Sequence, residues 1–288
     1  MAMLWTNKRK MKNATATLAA VCVGLIVSLW STTGWAEVLV DESWADGSRA
    51  ENKLPDEAAV WIGRTDDVTV SDGFLSTTMD IRSQKLWLYF TPQEPVTLAT
   101  GQSLTASISF IPRGALYENT SRNFRMGLFY DGTSPRVADD TNSDSGGKEG
   151  PWADATGYAV QLLLTNDPYT GTASFVLSKR ISTTHPNLLG TTADYAKMPG
   201  GARVSEELDK EYTLTLVVKK VADDQVDLSA ALFQGDKKLS STTVHDNGSQ
   251  LGGTPVYDKF DMLYLRLSDN LTTADQIDFT GIKVTLEP

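Results

Sequence analysis

Side chains that alternate between apolar and polar at every second residue constrain this chain more than any other feature. In one such segment Leu104, Ala106, Ile108 and Phe110 are separated by Ser and Thr residues. The same period of two recurs in segments 124–130, 158–164, 212–218, 226–232 and 263–267. A period of two is typical of strands with one buried face, whereas a helix repeats near 3.6 residues. The sequence therefore predicts an all-β protein.

Turn-forming residues separate these segments and indicate how the strands connect. Asp131-Gly132 and Asn247-Gly248 are examples that favour tight reversals of the chain. About a dozen strands favour two large stacked sheets over a small immunoglobulin-like module. Because no linker or low-complexity segment divides the chain, we expect one domain over residues 37–288. The predicted fold is a two-sheet antiparallel β-sandwich, with its first and last strands paired and a bulge at Gly281 in the last strand.

Residues 1–36 have the pattern of a secretory signal peptide. A basic cluster precedes an apolar run over residues 18–30, and Ala36 supplies a small residue at the expected cleavage point. The apolar run is shorter than the roughly 20 residues that span a bilayer, although extending it backwards leaves an uncleaved anchor as the alternative. Cleavage would remove Cys22, the one cysteine of the chain. We therefore expect a secreted, periplasmic or cell-surface protein without stable membrane insertion after cleavage.

The charge of the chain disfavours two classes of binding partner, nucleic acids and anionic membranes. The formal net charge is −10 at pH 7, whereas nucleic acids and anionic membranes are bound through concentrated Lys and Arg. We therefore expect no nucleic-acid partner. The sequence also contains no serine-nucleophile motif, phosphate loop or zinc-ligand spacing, and its two histidines, His185 and His245, lie in separate polar segments. Nothing in it is a catalytic signature.

The order of the predicted strands resembles the concanavalin A-like lectin/glucanase jelly roll, which occurs in laminin-G-like modules and exported bacterial proteins. The resemblance is carried by strands 122–130, 157–164, 174–180, 212–220, 226–234 and 277–286, and by the segments Trp44–Arg49, Leu54-Pro55 and Trp61. It implies a jelly roll in which contact with sugars is a common use. The Glu-x-Asp-x-x-Glu strand of the related glucanases is absent from the sequence, as are the Arg-rich and Gln-x-His strands of jelly-roll alginate lyases. The resemblance therefore implies carbohydrate binding more than catalysis.

One strand suggests where a glycan would bind. If the apolar residues at 86, 88 and 90 face the core, Trp87 and Tyr89 stand on the opposite face, where flat rings can stack on sugars. The same alternation places further candidate side chains on non-core faces, namely Arg125, Gln161, Tyr264 and Arg266. These six residues form the predicted carbohydrate-binding groove. The alternative is that both aromatic rings are buried beneath a long loop.

A short acidic loop suggests a metal site. Asp139, Asp140, Asn142 and Asp144 bring several oxygen ligands together, and calcium takes six to eight of them. Calcium is therefore the candidate cofactor, and the alternative is a solvated acidic loop.

The cluster of Trp44, Asp46 and Arg49 has two interpretations. Arg49 could belong to a ligand site. Alternatively, Trp44 packs in the core, Asp46 helps to form a turn, and Arg49 forms a salt bridge that orders a loop.

These observations predict an exported, non-catalytic protein that binds an extracellular glycan or polysaccharide. One alternative is a polysaccharide-degrading enzyme on the same fold, either a glycoside hydrolase or a lyase. A retaining hydrolase would need two carboxyl groups about 5 Å apart. The other alternative is a structural or adhesion protein of the cell surface.

Overall fold

The computed structural model describes residues 35–71, 73–79, 83–116, 124–132, 135–141, 151–165, 175–182, 188–190, 194–248, 253–268 and 274–288. Contacts group Gly34–Pro288 into one compact unit. Apart from a 3₁₀ turn at Thr65–Asp67, the regular structure in these ranges consists of strands, and every pairing between them is antiparallel. No helix in the described part is long and apolar enough to cross a membrane.

The larger sheet has eight strands. Their order across the sheet is β14 (Lys237–Asp246), β13 (Gln225–Gln234), β12 (Tyr212–Ala222), β7 (Ser103–Leu116), β17 (Ala274–Glu287), β4 (Phe74–Thr78) and β3 (Val68–Ser71). The eighth strand, β1 (Glu37–Glu42), pairs with the second half of β17. The first and last strands of the sheet are therefore neighbours, as predicted. The register of β17 against β7 shifts between Phe279 and Gly281, which confirms the predicted bulge.

The second sheet has seven strands. Their order is β11 (Tyr195–Gly200), β10 (Phe175–Arg180), β9 (Thr156–Leu162), β8 (Phe124–Tyr130), β16 (Met262–Leu267), β5 (Gln84–Tyr89) and β2 (Trp61–Ile62). A small ribbon joins β15 (Lys259–Phe260) to β6 (Val96–Thr97). The strand β16, late in the chain, lies between β5 and β8, whereas β8, β9, β10 and β11 are neighbours both in sequence and in the sheet.

The core lies between the two sheets and is built by the alternating residues. Leu104, Ile108 and Phe110 of β7 are fully buried, as are Phe124 and its alternating partners on β8. Phe110 stacks on Phe124 across the sheets, with ring centroids 4.5 Å apart. The polar residues between them face away from this core, so the predicted all-β sandwich is confirmed.

A second apolar cluster covers the outer face of the seven-stranded sheet. It includes Trp87, Trp152 and Tyr264, and it receives loop residues such as Leu188 and Leu189. As a result, every residue of β5 is buried, on both of its faces. This cluster decides which side chains of that sheet can reach a ligand.

Candidate functional site

The six residues of the predicted groove lie on the outer face of the seven-stranded sheet. Trp87 on β5 is the register partner of Tyr264 on β16, and Arg266 is the partner of Arg125 on β8. Gln161 on β9 continues that row, since it pairs with Arg125. The alternation thus predicted the common face of these side chains.

The two predicted stacking rings are covered. Trp87 is fully buried, because Trp152 packs against it edge-on with centroids 5.1 Å apart and Tyr264 stacks on it at 6.3 Å. Its indole N–H donates to the carbonyl of Val137 at 2.8 Å. Tyr89 is only 8% exposed. The expectation that both rings line an open groove is therefore wrong, and burial beneath loops is what the structure shows. A sugar could stack on Trp87 only if the covering segments moved away.

The polar members of the predicted groove are bound to the protein itself. Arg125 donates to the carbonyl of Leu189, and Gln161, which is buried, donates to the Ser178 hydroxyl at 3.1 Å. Burial, and secondarily the neighbouring Arg266 guanidinium, lowers the pKa of Arg125 to about 10. Sugar binding by these side chains stays a prediction.

An accessible cleft lies at the edge of the same sheet. Two pockets, of about 440 Å³ and 140 Å³, share Pro92 and Arg136 in their walls, and we call them together the Arg136 cleft. Asp131 and Asp261 line the larger part, and Trp61 lines the smaller part.

Strand order brings the carboxyl groups of the cleft together. Asp131 follows the last residue of β8, and Asp261 immediately precedes β16. Because these neighbouring strands are antiparallel, the last residue of β8 and the first residue of β16 lie at the same end of the strands. Tyr89, the last residue of β5, lies at this end as well, because β5 pairs antiparallel with the other side of β16. Three residues that are distant in sequence therefore meet.

Asp131 is a buried carboxyl group with one uncommitted oxygen. Its Oδ2 accepts from the Tyr89 hydroxyl at 2.5 Å, and its backbone N–H donates to Asp261 Oδ1 at 2.9 Å. Its Oδ1 is buried and has no hydrogen-bond partner among the described residues. Burial is the main cause that raises its pKa to about 7; the Tyr89 hydrogen bond opposes this rise, and the charges of Asp261 and Asp154 add to it. This group therefore changes charge near neutral pH.

Arg136 builds the wall between the two parts of the cleft. Its guanidinium donates to the Thr91 carbonyl at 2.6 Å, the Thr91 hydroxyl at 2.9 Å and the Gln93 carbonyl at 2.9 Å. It also contacts Asp261 Oδ2 at 3.3 Å and stands 4.7 Å over the Tyr89 ring. Since these contacts fix the guanidinium, Arg136 shapes the cleft and partly neutralises Asp261.

Trp61 is an aromatic residue of the Arg136 cleft that the sequence pattern did not mark as a candidate site residue. It lies on the edge strand β2, opposite Trp87, and its side chain is half-buried. A two-residue strand has no alternation to reveal which face its residues occupy. A usable signal did exist for Asp131 and Asp261, because each acidic residue directly adjoins a buried strand.

The cluster around Arg49 is structural. Trp44 is fully buried, and the Ser48 N–H donates to Asp46 Oδ1 at 2.9 Å in a local turn. Arg49 forms two hydrogen bonds with the carboxylate of Asp140, at 2.9 and 2.7 Å. This ion pair joins segments that are distant in sequence, as the second interpretation of the cluster predicted.

The same ion pair bears on the predicted calcium site. Both oxygens of Asp140 are taken by Arg49, and one also accepts the Ile62 N–H at 2.9 Å. Asp139 is exposed, while Asn142 and Asp144 lie outside the described residues. In the described part of the chain no group of three acidic, His or Cys residues is arranged to hold a metal ion. Asp140 is therefore engaged in an ion pair with Arg49, and the calcium site stays a prediction.

The histidines do not join the cleft in the described part. His245 is exposed on the edge strand β14, beside Asp227, and His185 lies outside the described residues.

Comparisons with known proteins give similarity to lectin structures and nothing more specific. No family model and no curated protein matches the chain. The VIP36 exoplasmic/lumenal domain in its Ca²⁺/Man2-bound form is 11% identical with a TM-score of 0.48, over 85% of this chain and 87% of that one. The Emp47p carbohydrate recognition domain is 10% identical with a TM-score of 0.48, over 88% and 97%. Peanut lectin with a 9mer peptide is 12% identical with a TM-score of 0.45, over 88% and 98%.

These structures are lectins of the concanavalin A-like type that the strand order resembles. Similarity at these TM-scores supports no argument about the ligand of this chain. The ligand has to be argued from the cleft itself.

Proposed function

We propose that this protein binds a glycan in the Arg136 cleft without transforming it. Proteins recognise sugars by packing an aromatic ring on the apolar face of the sugar and by hydrogen bonding to its hydroxyl groups. The observation that carries the proposal is that two adjoining pockets, which share Pro92 and Arg136, are lined by the half-buried Trp61 in one and by Asp131 in the other. The predicted signal peptide at residues 1–36 fits an extracellular glycan as partner.

The ring of Trp61 provides the test. After a glycan array has identified a ligand, calorimetry would compare the unmodified protein with Trp61→Ala. We expect at least about a tenfold loss of affinity, because a central aromatic contact contributes on the order of 2 kcal/mol. The matched control is Phe74→Ala, which removes a 37% exposed ring on β4 of the other sheet. Equal affinities for all three proteins would place the glycan outside this cleft.

A second candidate function is hydrolysis of the bound glycan. Asp131 keeps its proton up to about pH 7, and its backbone N–H donates to the Asp261 carboxylate. An acid with a raised pKa beside a second carboxyl group is typical of glycoside hydrolases. The test is the release of new reducing ends from the glycan that binds. Turnover that Asp131→Asn abolishes while binding survives would favour the enzyme, and binding without turnover would favour the first proposal.

A further inference from the structure

The charges around the Arg136 cleft restrict the kind of glycan that fits it. Asp131, Asp261 and the exposed Glu94 line its larger part, whereas Arg136 is the one cation among the lining residues described there. A fourth acid, Asp154, adjoins this wall, since a Cβ atom on Gly132 would lie 2.5 Å from its carboxylate. Even while Asp131 keeps its proton, the other three acidic residues outnumber the Arg136 guanidinium, and the cleft is predominantly negative.

We propose, as an extension of the glycan-binding function above, that the cleft selects sugars that carry a protonated amino group. An acidic sugar would place its carboxylate or sulfate among like charges, which disfavours it. A neutral sugar would leave the excess negative charge unmatched. An amino sugar with a free amine supplies both a positive charge and N–H donors.

The uncommitted oxygen of Asp131 gives the amine a specific partner. Asp131 is 1% exposed, and its Oδ1 has no hydrogen-bond partner among the described residues. A buried acceptor without a partner destabilises the folded protein, and an ammonium group can satisfy it with a charge-assisted hydrogen bond. Its other oxygen already accepts from Tyr89, so Oδ1 is the atom to which a ligand would donate. The indole of Trp61, in the adjoining part of the cleft, is a further surface for a cation.

Binding of an amine should also displace a proton. Burial, together with the charges of Asp261 and Asp154, keeps Asp131 protonated up to about pH 7. The Tyr89 hydrogen bond and the charge of Arg136 act in the opposite direction. An ammonium beside the carboxyl group favours its ionised form. At about pH 6, where an aliphatic amine is charged, binding should therefore release close to one proton per site.

The test compares two probes that differ at one position of each sugar, a charged amine in one and a neutral acetamide in the other. Calorimetry at about pH 6 would measure oligomers of glucosamine and of N-acetylglucosamine, of equal length, against the full chain. We expect the free-amine oligomer to bind at least about tenfold more tightly, with the preference weakening at high salt. Titration in two buffers of different ionisation enthalpy would measure the released proton.

Substitutions in the cleft test whether the preference for the free-amine oligomer arises there. Asp131→Asn should remove most of the tenfold preference and the proton release, while Trp61→Ala should weaken both oligomers. Glu94→Gln changes an exposed side chain and should reduce the preference two- to threefold, which keeps the test valid if the Asp131 variant folds poorly. The control is Asp224→Asn, which removes an exposed charge at the turn between β12 and β13 of the other sheet.

The outcomes separate the two proposals. Equal affinity for both oligomers, or tighter binding of the N-acetylated one, would overturn the amine preference. Binding of another glycan that depends on Trp61, without binding of either oligomer, would overturn it as well and leave the glycan function standing. Absence of any glycan ligand that depends on Trp61 would overturn both.

Discussion

The raised pKa of Asp131 predicts a specific effect of pH on stability. Its pKa is 3.8 in a free carboxyl group and about 7 in the folded protein, chiefly because the group is buried. A carboxyl group that holds its proton more tightly when folded stabilises the folded state at low pH. Stability falls as the pH rises from near 3.8 to about 7, and the loss is complete above that range. Replacement of Asp131 by Asn removes this titration and preserves the size of the side chain.

The magnitude follows from the two pKa values. At 1.36 kcal/mol per pH unit, the change from 3.8 to about 7 corresponds to about 4 kcal/mol in total. Roughly 2–3 kcal/mol of it falls between pH 5 and pH 8. Asn can accept the Tyr89 hydroxyl through its carbonyl, but its amide group then lies where Oδ1 has no partner. The unsatisfied amide group should lower the free energy of unfolding by about 1–3 kcal/mol, and this loss does not vary with pH.

Urea unfolding at pH 5 and pH 8 measures the difference. The free energy of unfolding of Asp131→Asn, relative to that of the unmodified protein, should rise by about 2–3 kcal/mol between the two pH values. Glu206 also has a pKa raised by burial, to about 8, but it titrates in both proteins and cancels from the comparison. Asp224→Asn, at an exposed turn, should follow the unmodified protein at both pH values. A stability difference for Asp131→Asn that is the same at pH 5 and pH 8 would refute the reasoning.

Two further predictions concern buried side chains, and urea unfolding measures both. Lys179→Met leaves the buried carboxylate of Asp246 without the cation that lies 2.7 Å away, and should lower the free energy of unfolding by about 3–5 kcal/mol. Its control, Lys283→Met, removes a half-exposed ion pair and should lower the free energy of unfolding by less than about 1 kcal/mol. Trp87→Ala should lower it by about 3–5 kcal/mol, and Phe74→Ala by much less; equal effects of these two substitutions would contradict the burial of Trp87.

The sequence predicted the fold because alternation records burial directly. Each side chain that points between the sheets must be apolar, so the period of two revealed both the strands and their inner faces. The same reasoning placed Trp87 and Tyr264 on a common outer face. Alternation carries no information about what covers that face. Val137 and Trp152, which bury Trp87, come from segments far along the chain, so their contact depends on the tertiary structure alone.

The sequence did not predict the Arg136 cleft, because its residues also come together only through the tertiary structure. Asp131 and Asp261 meet because β16 lies between β5 and β8, and the order of strands within a sheet is not written in the period of any single strand. The acidic loop predicts Asp140 as a metal ligand, but no local pattern reveals the ion pair that this carboxylate forms. The guanidinium of Arg49, which takes both oxygens of that carboxylate, belongs to a segment about ninety residues earlier.

The covered outer face explains why the proposed ligand site lies where the strands of this sheet end. Trp87 and its neighbours fill that face, so the accessible cleft lies where strands end. In the wall of the cleft the chain keeps a buried carboxyl group, Asp131, that packing alone disfavours. An apolar residue in place of Asp131 would avoid both the desolvation of the carboxyl group and the unsatisfied Oδ1. Local features that reduce stability are expected at functional sites more than elsewhere, because a ligand can supply the missing interaction. We therefore expect Asp131 to couple stability to ligand binding in the Arg136 cleft: a ligand that donates to Oδ1 should raise the free energy of unfolding most above about pH 7, where the ionised Asp131 is least favourable to the fold.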